Sequence, residues 1–193
     1  MFKNKFSKFL FLCTTLFTSF LLSNEVFAKS PLINRLSGIN RYETNISIVK
    51  NGWSESSNVV LANGQDYPDA LCAAPLANAK NAPIILTAKD HINTSAINEL
   101  SRLKTKNVYI IGGTGVVSSE IEEKLKSLGI NCIRLAGKNR YETSVRIAEQ
   151  IGTSNGIVVA SGENFPDALS IAPIAAKKAC LFYYLLKILY HKK

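Results

Sequence analysis

"RLSGINRYET" (Arg35–Thr44) returns as "RLAGKNRYET" (Arg134–Thr143), and that return decides how the chain is organised. Arg41 and Arg140 stand 99 positions apart. Further on, "VVLANGQDYPDALCAAPLA" (Val59–Ala77) matches "IVVASGENFPDALSIAPIA" (Ile157–Ala175), with Asp69 and Asp167 98 apart. The one residue lost falls in a connector, where a loop absorbs it. A period this long, carrying several elements, describes a tandem domain and not one turn of a solenoid.

Within one period, short apolar runs alternate with helical patterns. Leu32–Leu36 predicts a strand, and Tyr42–Lys50 a helix with Tyr42, Ile46 and Val49 on one face. Val59–Ala62 predicts a strand, and Pro68 opens a helix to about Lys80, a position where its missing N–H costs nothing. Pro83–Thr87 follows as a strand, Thr94–Lys104 as a helix and Val108–Ile111 as a strand stopped by Gly112 and Gly113. Ser119-x-x-Glu122 reads as a capping box for a helix ended by Gly129, and Asn131–Leu135 begins the next copy. Such alternation with short connections implies βαβ units and a parallel sheet with both faces buried. The expected class is therefore α/β, a parallel-sheet βαβ (Rossmann/toprim-like) repeat domain whose second repeat is incomplete. Its strand-leaving loops, Ser37–Arg41, Asn63–Tyr67, Ala88–Ile92 and Gly112–Val117, gather on the edge where open α/β sheets bind ligands.

The first 28 residues are set aside. Lys3, Lys5 and Lys8 precede an apolar run from Phe9 to Leu22 and then Val26–Phe27–Ala28, the pattern of a secretory signal peptide. The run is short for a membrane span, which takes about 20 apolar residues, so no stable span is expected after cleavage near Lys29. The net charge of +9 sits at the ends. Residues 1–28 carry +2 and residues 177–193 carry +5, while residues 29–176, with 15 basic and 13 acidic side chains, carry only +2. A nucleic-acid footprint needs a basic face, and none is expected. Cys72, Cys132 and Cys180 remain after processing, an odd count without CxxC spacing, which excludes a disulfide framework or a zinc site.

The recurring polar residues allow two uses. Arg41 and Arg140 stand at helix starts, where an anion would meet both the guanidinium and unpaired N–H groups. Alternatively each pairs with an acid on the neighbouring loop, Asp69 or Asp167; this is preferred, because each copy keeps both residues on one edge. Asp69 and Asp167 sit in the first turn of a helix and favour its dipole; Glu43 and Glu142 sit equally early and serve as capping groups. Gly38, Tyr42, Glu43, Gly64, Pro68 and Asp69, with Gly137, Tyr141, Glu142, Gly162, Pro166 and Asp167, are thus read as the structural motif of each copy. "GGTGVV" (Gly112–Val117) lacks G-x-G-x-x-G spacing and no P-loop lysine follows, which makes a nucleotide-binding domain a weak third reading. His91 and His191 are too few for a multi-histidine zinc hydrolase, and Ser161–Gly162 lacks the nucleophile elbow. No catalytic residue, metal site or cofactor is expected.

These motifs, in fixed order from Arg35 to about Lys178 with "PIIL" and "VYIIGG" between them, closely resemble the type-2 cell-wall-binding repeat of Gram-positive surface proteins. The resemblance implies α/β units, usually three in tandem around a pseudo-three-fold axis. It implies a secreted, non-enzymatic module at the cell wall or surface, held non-covalently through anionic wall polysaccharide. Ile84, Ile85 and Leu86 match the family's anchoring triplet, although by their own pattern they are first a buried strand. With Arg41 and Arg140 they form the candidate polymer-binding set. Other copies of the repeat are a further expected partner. The alternative is a fragment or regulatory module of an N-acetylmuramoyl-L-alanine amidase-type wall hydrolase, the company such repeats keep.

The second copy departs from the pattern late. "KNAPIIL" (Lys80–Leu86) becomes "KACLFYY" (Lys178–Tyr184), and "YLLKILYHKK" follows without glycine, acid or turn signal. The expected divisions are a leader at 1–28, one repeat at 29–131, a partial repeat at 132–178 and an aberrant tail at 179–193, read as translation in a shifted frame.

Overall fold

A computed structural model describes residues 33–152 and 155–185. In chain order these form α1 (Arg41–Gly52), β1 (Asn58–Asn63), α2 (Tyr67–Cys72), α3 (Ala74–Ala79), β2 (Ile84–Thr87), α4 (Thr94–Arg102), β3 (Asn107–Ile111), α5 (Ser119–Ser127), β4 (Asn131–Leu135), α6 (Arg140–Ile151), β5 (Ile157–Ser161), α7 (Phe165–Lys177) and β6 (Leu181–Leu185). The leader expected at residues 1–28 and the last eight residues of the tail lie outside this range. No helix among the described residues is long and apolar enough to cross a membrane.

Every strand pair among the described residues is parallel. One sheet runs β2-β1-β3-β4 and a second holds β5 and β6. This is the expected α/β architecture of βαβ units. The central strand β1 is buried at every position after Asn58 because helices cover both of its faces.

The two sheets do not coincide with the two sequence copies. β4 opens the second copy, yet it pairs with β3 of the first, Tyr109 facing Ile133 and Ile111 facing Leu135. Sheet and sequence period are offset by one strand. This explains a correction at the front of the first copy, where a strand was expected over Leu32–Leu36. Residues 33–38 carry no strand, and Leu32 is outside the described range. A strand exists only with a partner for its N–H and C=O groups. The counterpart at Asn131–Leu135 has one in β3, while residues 33–36 have no strand partner among the described residues.

Among the described residues two apolar clusters make the core. One lies on a single face of the first sheet and joins Ile46, Val49, Val59, Leu61, Ile85, Leu100, Ile110, Ile121 and Leu125. The other joins the two copies, since Val60, Ala62, Leu76, Tyr109 and Ile111 share it with Ile147, Ala160, Ala168, Ala172, Phe182 and Tyr184. Residues 181–185, where the sequence leaves its pattern, become β6, and Phe182, Tyr183 and Tyr184 take against β5 the places that Ile84, Ile85 and Leu86 take against β1. Phe182 and Tyr184 are 1% and 5% exposed, so this segment is built into the core.

Three local readings need correcting. The N-caps of α1 and α6 are Asn40 and Asn139, whose side-chain oxygens accept from the N–H groups of Tyr42 and Glu43 and of Tyr141 and Glu142. Of the two glutamates read as capping groups, Glu142 reaches back to Lys138 N–H at 3.0 Å, while Glu43 goes to Ser95 instead. The helix expected from Pro68 to Lys80 is interrupted at Ala73 and forms α2 and α3, whereas in the second copy α7 runs unbroken through Pro173, the counterpart of Pro75. Ser118 stands at the N-cap position of α5 without a side-chain capping hydrogen bond, and the expected Ser119–Glu122 box is not formed. Glu122 turns instead to Lys126 at 2.7 Å and to Arg134 of β4 at 2.8 Å.

Candidate functional site

The repeated decapeptide is a clamp on the loop that leaves the next strand. Gly38 N–H donates to Thr44 Oγ1 at 3.0 Å, and Gly137 N–H to Thr143 Oγ1 at 3.1 Å, closing the turn before each helix. From the first helical position Arg41 Nη1 donates to the carbonyl of Gly64 at 2.6 Å, and Arg140 Nη1 to that of Gly162 at 2.7 Å. The tyrosine one residue on lies against the same glycine. A Cβ on Gly64 would stand 2.7 Å from Tyr42 Cε1, and one on Gly162 2.5 Å from Tyr141 Cε1, so only glycine allows this approach.

The preferred pairing of each arginine with Asp69 or Asp167 is therefore corrected. Both guanidinium groups take a backbone carbonyl, and neither forms an ion pair with those acids. The nearer partner is the glycine carbonyl of the preceding loop, and Arg140 acts on Asp69 of the other copy only through its charge. Glu43 accepts from Ser95 Oγ at 2.7 Å, tying α1 to α4, and Glu142 accepts from its own turn at Lys138 N–H.

The triplet Ile84–Leu86 is β2 itself, with Ile85 fully buried and its neighbours half-buried. Asn45 of α1 brackets it, donating to the Ile84 carbonyl at 2.9 Å and accepting from Leu86 N–H at 3.0 Å.

Between the copies lies a seam that the linear pattern does not announce. Tyr184 O–H donates to the carbonyl of Pro68 at 2.8 Å, and Asn78 Nδ2 donates to that of Ala176 at 2.8 Å. Tyr67 meets its own counterpart Phe165 edge to face at 5.3 Å. Asp69 is buried in this seam, 8% exposed. Its Oδ2 abuts Gly112, where a Cβ would stand 2.6 Å away and where φ is +97°. Burial pushes its carboxyl up to about 6, Asp66 pushes the same way, and the charge of Arg140 from the second copy opposes both. Asp167, its counterpart, is exposed. It lines an open crevice of about 690 Å³ with Ser161, Asn164 and Ser170 at the end of β5. In the first copy the same place is filled by the Gly112–Val117 loop, held by Asn63 Nδ2 on the Val116 carbonyl at 2.6 Å. Tyr184→Phe removes one neutral hydrogen bond from the seam and should cost about 1 kcal/mol in a urea titration.

Among the described residues no three of His, Cys, Asp and Glu stand close enough together to hold a metal ion. Cys72, Cys132 and Cys180 are all free thiols.

The family model described as cell wall binding domain 2 (CWB2) matches residues 35–122 and 134–187. The chain belongs to the CWB2 family. Its CWB2 segments are similar to N-acetylmuramoyl-L-alanine amidase LytC of Bacillus subtilis (strain 168), 42% identical over 145 residues, which are 75% of this chain and 29% of that protein. The amidase enhancer of the same organism is 38% identical over 143 residues, 74% of this chain and 20% of that one. Among solved structures, Cwp8 from Clostridium difficile superposes with a TM-score of 0.74 at 35% identity, over 81% of this chain and 28% of that one. Cwp6 from the same organism gives 0.73 at 33% identity, over 82% and 27%. The chain thus spans less than a third of the length of these relatives. Membership places this CWB2 chain at the cell wall, as a wall-binding module. The CWB2 match continues to residue 187 and so takes in β6.

Proposed function

We propose that the chain is an exported anchor that holds to the wall non-covalently through anionic polysaccharide and performs no reaction. The observation that carries this reading is the CWB2 match through both copies. The recurring clamp supports it, because Arg41 and Arg140 each spend one N–H on a glycine carbonyl and a guanidinium has five. The other donors and the charge serve an acidic polymer along the same sheet edge. Ile84, Ile85 and Leu86 act indirectly, by seating β2 beside that edge.

The purified chain should co-sediment with protein-free cell walls and be released by salt, as ionic contacts to a polyanion require. Arg41→Ala with Arg140→Ala should weaken retention about tenfold, with most of it restored by lysine at both positions, which keeps the charge. Failure to co-sediment would overturn the anchoring role, and unchanged retention in the alanine pair would overturn the role of the arginines. The amidase-fragment alternative predicts a clearing band in a peptidoglycan zymogram of the chain alone; the anchor reading predicts none.

A further inference from the structure

Among the described residues, one face of the second copy that is buried in the first is exposed. In the first copy Ile46, Val59 and Leu61 are 3%, 0% and 0% exposed beneath α4, α5 and β3. Their counterparts Val145, Ile157 and Val159 are 41%, 66% and 52% exposed, and Tyr183 beside them is half-buried. Their counterparts Ile46, Val59, Leu61 and Ile85 share one apolar cluster in the first copy, so these four mark the matching face of the second, with β5 and β6 as its floor and α6 as its wall. The outer edge of β5 is unpaired among the described residues. Its sequence "IVVAS" holds no charge and no proline, the devices by which edge strands normally repel a second chain.

What fits such a face is visible in the first copy, where α4 lies beside α1, joined by Ser95 and Glu43. A helix is needed in the equivalent place beside α6. The exposed stripe of α6 reads Glu142, Val145, Arg146 and Glu149, with Arg146 and Glu149 60% and 54% exposed and paired to each other at 3.1 Å. Two such helices laid antiparallel about a two-fold axis set Arg146 of each against Glu149 of the other. The stripe is complementary to itself, and a two-fold contact requires that self-complementarity.

We infer that the open face of the second copy is a homodimer interface, with α6 of each chain lying over β5 of its partner. The contact buries Val145, Ile157 and Val159 of both chains and exchanges the Arg146–Glu149 pairs between them. It stands independently of the polysaccharide reading, since the clamp arginines take no part.

Sedimentation velocity of the purified chain over a concentration series should give twice the monomer mass. Val159→Lys should leave only monomer. Arg146→Glu alone and Glu149→Arg alone should each weaken the dimer about tenfold or more by setting like charges together. An equimolar mixture of these two variants should regain near-native association, because the charges match again across the axis. Both positions are exposed, so these variants test the interface even if Val159→Lys does not fold. A wild-type chain that stays monomeric overturns the inference. So does a dimer that survives Val159→Lys but is lost on Ile174→Lys, which would move the contact to α7, or a mixture that associates no better than its components.

Discussion

Arg102→Ala should destabilise the fold by about 3 kcal/mol, because it leaves a carboxylate buried without its partner. Glu99 is 1% exposed, and Arg102 grips both of its oxygens, Nε to Oε2 at 2.9 Å and Nη2 to Oε1 at 2.6 Å. The same guanidinium donates to the carbonyls of Trp53 and Ser54, so it also ties α4 to the end of α1. Its side chain is 36% exposed, and water screens part of the pair, which sets the expectation at the lower end for a broken buried pair. Guanidinium chloride unfolding followed by circular dichroism reads the effect. Adding Glu99→Gln to Arg102→Ala should recover more than half of the loss, since the amide brings no charge inside. A single variant that unfolds with the wild-type midpoint would show that Glu99 is not held by this pair.

Asp69→Asn should do the reverse above pH 6 and stabilise the protein. The carboxyl is raised from 3.8 to about 6 in the folded chain, so the folded state binds its proton more tightly than the unfolded state does. Below the unfolded value both states are protonated and the contribution is fully present; as pH rises through about 6 it is lost. The shift corresponds to about 3 kcal/mol between the two limits. Glu122 is lowered, chiefly by its hydrogen bond to Lys126, and contributes with the opposite sign at acid pH. The informative quantity is therefore the difference between wild type and Asp69→Asn, taken as unfolding free energy from pH 4 to pH 8. That difference should be small at the acid end and favour asparagine at neutral pH. A difference that does not change with pH would mean that Asp69 titrates normally, and would remove the electrostatic account of the seam.

The alternation of strands and helices was legible because apolar runs and glycine stops are local. Asn131–Leu135 is a strand over the whole span expected. Leu32–Leu36 has nearly the same character and yields no strand over its described residues, because pairing depends on a second strand that the run itself does not contain. The arginines show the same limit. Their recurrence beside a glycine turn was readable, but whether each reached a carbonyl or a carboxylate depended on where the next loop turned. The caps Asn40 and Asn139 could have been found, since asparagine directly before a helical run is a standard start signal. Tyr184 could not, because its hydroxyl meets Pro68 across 116 positions of chain. "LFYYL" looked foreign beside "PIIL", yet a parallel strand buried on one face asks for apolar bulk and β propensity, which aromatic residues satisfy.

The one-strand offset between the duplicated text and the folded sheets has a practical and an evolutionary consequence. A unit excised at the expected sequence boundary, just after Asn131, would strip β3 of nearly all of its outer neighbour, whereas a cut after Leu135 leaves the four-stranded sheet whole. The second copy lends its leading strand to the first, much as an overlapped roof tile seals the row below it. At this seam the two copies are interlocked, so a recombination that removed the second would also unpair the edge of the first.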